Sequence, residues 1–144
     1  MTHELRMKVR DYECDIQGIV NNANYQHYAE HARHEMILEK GVSFANLHQR
    51  GIDVVVARIS LSYKIPLKSG DEFLVRSSVK KEGVKYVFHQ DIIRLSDNRL
   101  ACRVEVVTVT LINGTLVPGH PELDELLEKD NECFPTGRKC RTHC

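Results

Sequence analysis

Between residues 22 and 40 the apolar positions fall on one side of a helix. Tyr25, Tyr28, Ala29, Ala32 and Met36 stand at i, i+3, i+4, i+7 and i+11, a single amphipathic stripe. Asn21, Asn22 or Asn24 can cap its start, and Gly41 stops it. Residues 4–10 read as a short strand. Residues 11–21, with Asp11, Asp15, Gly18 and a pair of asparagines, read as a loop. A short helical turn is expected over 43–50. After Gly51 the period becomes two. Val55, Ala57, Ile59, Leu61, Tyr63 and Ile65 alternate with Val54, Val56, Arg58, Ser60, Ser62 and Lys64, which predicts a long half-buried strand ended by Pro66. Strands are expected over 73–81, 84–95 and 100–112, with Tyr63, Tyr86 and Phe88 packing on a sheet face. Asn113-Gly114 is a tight-turn signal, and 122–128 carry the pattern of a short amphipathic helix.

The order is strand, loop, long helix, then four strands that read as consecutive antiparallel neighbours. That is an α+β architecture of one helix on a five-stranded sheet. A helix of about 28 Å covers only part of one sheet face, so the uncovered face and edge predict self-association. Neither an internal repeat nor a low-complexity tract appears. One domain over residues 1–129 is expected, followed by a basic, cysteine-containing tail over 130–144 in which Arg138, Lys139 and Arg141 are solvated.

The chain has 144 residues, 42% of them hydrophobic and 28% charged, enough for one core. Twenty Lys and Arg balance twenty Asp and Glu. Gripping a nucleic-acid backbone by bulk charge calls for a basic excess, so no nucleic-acid partner is expected. No run approaches the ~18 apolar residues of a membrane span. The N-terminus lacks the apolar core of a secretory signal, and a cytoplasmic location is expected. The five cysteines form no C-x-x-C pair; Cys133, Cys140 and Cys144 crowd the tail, and all read as reduced thiols. His27 and His31 have the i, i+4 spacing of helical zinc ligands. They and His34 lie about 180–240° from the apolar stripe without a third ligand, so a solvated or inter-subunit face is expected and no metal. There is no glycine-rich phosphate loop and no G-x-S-x-G elbow, which points to chemistry without a cofactor.

The segment 13–33 carries the chemistry. Asp15 is a loop carboxylate, Gly18 lets the backbone turn tightly three residues on, and a long helix begins shortly after. The first amides of a helix lack intrahelical acceptors and carry the positive end of its dipole. Such amides can stabilise an oxyanion while a nearby carboxylate attacks or activates water. So sparse a set suits a good leaving group. A thiol, with a pKa of about 8.5, departs as thiolate near neutrality, whereas an amine generally needs an acid to protonate it. Thioester hydrolysis is favoured over amide hydrolysis.

Asp15-x-x-Gly18-x-Val20-x-x-x-x-Tyr25, between a strand and a long helix, resembles the hot-dog-fold thioesterases of the 4-hydroxybenzoyl-CoA thioesterase type. The variant Val20-Asn21-Asn22-Ala23-x-Tyr25, with Arg33-His34-Glu35 later, is similar to the single-domain acyl-acyl-carrier-protein thioesterases. The likeness runs over about residues 5–128 and includes Tyr63-x-x-Pro66, Gly70-Asp71 and Val117-Pro118. It implies a hot-dog fold, one long helix wrapped by a five-stranded antiparallel sheet. It also implies a cofactor-free thioesterase acting on acyl-CoA or acyl-acyl-carrier-protein. By the same resemblance Asp15 is the catalytic carboxylate and the Asn22 backbone N–H the oxyanion donor. Gly18, Val20, Asn21 and Tyr25 would then lie against substrate, in a site between subunits of a homodimer or homotetramer.

Two departures limit the transfer. The larger plant acyl-carrier-protein enzymes place a His where Ile19 stands, so their Asn/His machinery is not carried over. Another hot-dog lineage carries its acid on the long helix, where Glu30 and Glu35 lie. These point about 140° and 80° away from Tyr25, and Asp15 is preferred. Glu13 reads as a surface carboxylate or one supporting Asp15. A catalytically silent acyl-binding module is the alternative function. A hot-dog dehydratase or hydratase is disfavoured because the family's His is missing. Nucleophile or general base for Asp15, acyl length, and coenzyme A or carrier protein all stay open.

Overall fold

Each residue of the predicted stripe is buried in a computed structural model that describes residues 2–125. The stripe belongs to helix α1 (Asn22–Glu39), which Arg33 and Ile37 also help to bury. Around it run β1 (Thr2–Lys8), a 3-10 turn (Asp11–Glu13), helix α2 (Phe44–Gln49), β2 (Ile52–Tyr63), β3 (Glu72–Glu82), β4 (Lys85–Arg94), β5 (Arg99–Ile112) and β6 (Thr115–Val117). Residues 121–125 are helical, the described part of the helix expected over 122–128. The rest of that helix, the 129/130 boundary and the tail lie outside the described residues.

Of the four strands expected as consecutive antiparallel neighbours, β3, β4 and β5 are so arranged, but β2 does not lie beside β3. The sheet runs β1-β3-β4-β5-β2, with β6 on β5, six strands where five were expected. β2 pairs with β5, from Ile52 opposite Ile112 to Tyr63 opposite Cys102. The reason is the connection over 64–71, which is pinned beneath α1 rather than folded as a hairpin. Leu67 is fully buried; its N–H donates to Tyr25 Oη (3.0 Å) and its carbonyl accepts from Val20 N–H (2.8 Å). That anchorage delivers β3 to the far side of the sheet, beside β1, where α1 packs across β1, β3 and β4.

β6 follows from the Asn113-Gly114 turn, whose two residues have φ of 50° and 82°, the left-handed values a two-residue hairpin requires. At three residues it is too short to leave a period. β2 corrects a second expectation, since it is not cleanly half-buried. Among the described residues it is an edge strand, and a bulge between Val56 and Arg58 shifts its register, leaving Val55 40% and Val56 46% exposed. Tyr86 and Phe88 pack as expected, whereas Tyr63 is half exposed.

Candidate active site

The loop between the 3-10 turn and α1 is a closed local structure. Asp15 N–H donates to the Ile19 carbonyl and Gly18 N–H to the Asp15 carbonyl, each at 2.9 Å. Gly18 takes φ +80°, a conformation costly for residues with a Cβ. Cys14 and Val20 form a bridge across the loop, and Ile19 bridges to Lys68. The turn pushes the Asp15 side chain out into solvent, with Oδ1 accepting from Gln17 N–H at 2.8 Å. Val20, by contrast, is buried.

Asn21 is the cap of α1. Its side-chain oxygen accepts from Ala23 N–H (3.0 Å) and its carbonyl from Asn24 N–H (2.9 Å). The Asn22 amide, the first of the helix, has no protein acceptor among the described residues. The Asn22 carbonyl accepts from Tyr63 Oη at 3.4 Å, which brings β2 to the helix start, and Tyr63 meets Tyr25 edge-on at 5.4 Å. Tyr25 is buried and its hydroxyl holds Leu67, so it shapes the loop from below. Thus Asp15, Gly18, Val20, Asn21, Asn22 and Tyr25 belong to one contiguous structure.

Glu13 was legible as a carboxylate but not as a buried one. It is 7% exposed and accepts from Arg10 N–H and Tyr28 Oη, both at 2.8 Å, and from the Arg10 guanidinium at 2.9 and 3.2 Å. Burial alone pushes its carboxyl upward. The Arg10 backbone, Tyr28 and the Arg10 side chain together outweigh that and hold it below its ordinary value of 4.5. Tyr28 is pushed up, first by burial and then by its bond to Glu13. Glu13 makes one half of a capping-box exchange by accepting from Arg10 N–H, but Arg10 has no side-chain acceptor to return it, so the sequence carried no such signature.

A carboxyl with a lowered folded-state pKa adds stability above its unfolded pKa and loses it as pH falls through the folded value. Between about pH 5 and pH 2 the thermal midpoint of the parent protein should therefore fall more steeply than that of Glu13→Gln. Parallel slopes would show that Glu13 contributes nothing to the acid limb.

The other candidates lie apart. Glu30 is exposed and Glu35 partly so, paired with His31 at 3.8 Å. His27 is exposed and bonds Asn24 (3.2 Å), while His34 packs edge-on against Phe44 (5.1 Å). Among the described residues no three His, Cys, Asp or Glu side chains gather as metal ligands. Burial and the acidic neighbours Asp11, Asp15 and Glu13 push the Cys14 thiol up, so it is no ready nucleophile. A cleft of about 450 Å³ opens beside the loop, lined by Arg10, Tyr12, Glu13, Asn24, His27 and Tyr28 among others.

Sequence comparison matches residues 9–128 to the family described as the Thioesterase-like superfamily. Two chloroplastic acyl-acyl carrier protein thioesterases of Arabidopsis thaliana, ATL3 and ATL2, are 31% and 33% identical over 112 and 122 residues. The matches cover 77% and 82% of this chain but only 59% and 65% of those proteins, less than two thirds of either. The crystal structure of the DHNA-CoA thioesterase from Staphylococcus aureus superposes with a TM-score of 0.80 at 20% identity, covering 95% of each chain. That last likeness is one of fold.

Proposed function

The chain belongs to the thioesterase-like superfamily, and from that membership we propose that it hydrolyses acyl thioesters, with Asp15 and the Asn22 amide as its working pair. Its fold is the hot-dog arrangement, a curled antiparallel sheet around one long helix. The observation that carries the reading is local. A single tight loop presents an exposed carboxylate at Asp15 and ends at the cap of a helix whose first amide is uncommitted.

The thioester carbonyl oxygen points at that amide, where charge develops as the carbonyl carbon becomes tetrahedral. Asp15 either attacks this carbon, giving a transient mixed anhydride that water then opens, or takes a proton from the attacking water. In both routes the C–S bond breaks with its electron pair on sulfur, so the thiolate leaves without an acid. Substrates are acyl esters of coenzyme A or acyl carrier protein. The plant relatives are named for carrier-protein esters and the Staphylococcus structure for a coenzyme A ester. A panel of both carriers bearing short, long and aromatic acyl groups, with free thiol detected, tests this. Binding without thiol release would identify a silent acyl-binding module instead.

The site is completed by a second copy of the chain. Beside Asp15 the side chains of Tyr12 and Ile16 are 79% and 102% exposed, and the edge of β2, unpaired among the described residues, presents Val55 and Val56. A homodimer joining sheets edge to edge, with a homotetramer as its pairing, covers these groups. Light scattering should report a dimer or tetramer; a stable monomer with full turnover refutes the shared site. Among the described residues no helix is long and apolar enough to cross a membrane. Both described cysteines, Cys14 and Cys102, are free thiols, and a reducing, cytoplasmic setting belongs to the same proposal.

A further inference from the structure

Glu13 is the only buried Asp or Glu among the described residues, and nothing in the hydrolytic scheme uses it. Its side chain accepts four hydrogen bonds, two on each oxygen. Its backbone carbonyl accepts from Asn21 N–H (3.0 Å) and from Asn24 Nδ2 (2.8 Å). One residue therefore fastens three parts: the chain leaving β1, through Arg10; the cap of α1, through Asn21 and Asn24; and the buried face of α1, through Tyr28. Asp15 lies two residues farther on. Around it Asp11, Tyr12, Ile16, Gln17 and Gly18 are all exposed and supply little packing.

Desolvating a carboxylate is expensive, and an amide would fill the same space. What an amide lacks is acceptor capacity. Glutamine has one acceptor oxygen, and its NH2 group would face the Arg10 guanidinium, donor against donor. The ionised form is the one that satisfies all four donors.

We propose that Glu13 is a positioning residue, holding the Asp15 loop in register with the first turn of α1 so that carboxylate and amide face the same carbonyl. This rests on the reading of Asp15 and Asn22 given above. The clasp acts on geometry at the reacting centre, where small displacements cost large factors in rate. It should therefore be felt in kcat more than in KM.

Glu13→Gln and Tyr28→Phe, singly and together, are assayed on the best thioester of the panel, well below their unfolding midpoints. Tyr28→Phe keeps the ring on Phe73, 4.6 Å away, and removes only the hydroxyl. Turnover should fall about tenfold in Glu13→Gln and about threefold in Tyr28→Phe, with KM within about twofold of the parent. The double variant should be no slower than Glu13→Gln alone, because both changes act through one contact. A lowered midpoint with parental kcat in both single variants would make the clasp merely structural and overturn the proposal. If Glu13→Gln does not fold, parental kcat in Tyr28→Phe overturns it. Asp15→Asn separates the two levels. If it abolishes turnover while both clasp variants keep it, positioning alone fails; if it keeps turnover, the site reading fails as well.

Discussion

Replacing Asp15 by asparagine should lower turnover by roughly 10²-fold or more while KM changes little. General-base contributions alone are commonly about 10²–10⁴-fold, and a nucleophile's removal costs at least as much. The substitution is informative because of what it preserves. Asn has the same size and can still accept from Gln17 N–H, the bond that Asp15 Oδ1 now makes. The loop's other ties are the Glu13 side-chain bonds and backbone bonds through residues 14, 15, 18, 19 and 20, none of which a side-chain change at 15 removes. A fall in kcat then reports the lost negative charge. His27→Ala serves as the matched control. His27 lies near the start of α1, but it is exposed and bonds only Asn24, so turnover should hardly change. An Asp15→Asn protein with parental turnover would move the catalytic role to Glu30 or Glu35.

The second large effect is on stability. Phe73 is fully buried near the start of β3, its ring 4.6 Å from that of Tyr28, and it pairs across the sheet with Met7 and Arg94. Phe73→Ala leaves a cavity between the sheet and α1 that neither rigid layer can close. Such truncations cost about 3–5 kcal/mol, against a total stability of about 5–15 kcal/mol for ordinary domains. The thermal midpoint should drop by roughly 10 °C or more, measured at fixed protomer concentration because association adds its own stabilisation. A drop below about 3 °C would mean that the layers close over the gap. Activity assayed below the new midpoint should also fall, since Phe73 carries Tyr28 and Tyr28 bonds Glu13.

Periodicity and turn chemistry sufficed for the elements that depend on near neighbours. The stripe from Tyr25 to Met36 marked the inner face of α1 because residues three and four apart share a side of any helix. Asn113-Gly114 marked a turn because few other residues tolerate two consecutive positive φ values. The Asp15 loop was legible for the same reason: its glycine, its cap and its helix lie within a few residues of one another. What stayed illegible joins residues far apart in the chain. β2 alternates like a half-buried strand, yet its place at the edge depends on Leu67 being held by Tyr25, 42 residues earlier. Arg33 follows Ala32 within the span of the stripe and Gln90 lies within a strand, and only the packed fold joins them in a buried hydrogen bond at 3.1 Å. Glu13 looked like any loop carboxylate until Tyr28 closed over it. A residue's period reports which side it faces, whereas its partner and the water it loses are decided by chain closure over tens of residues, which no local pattern encodes.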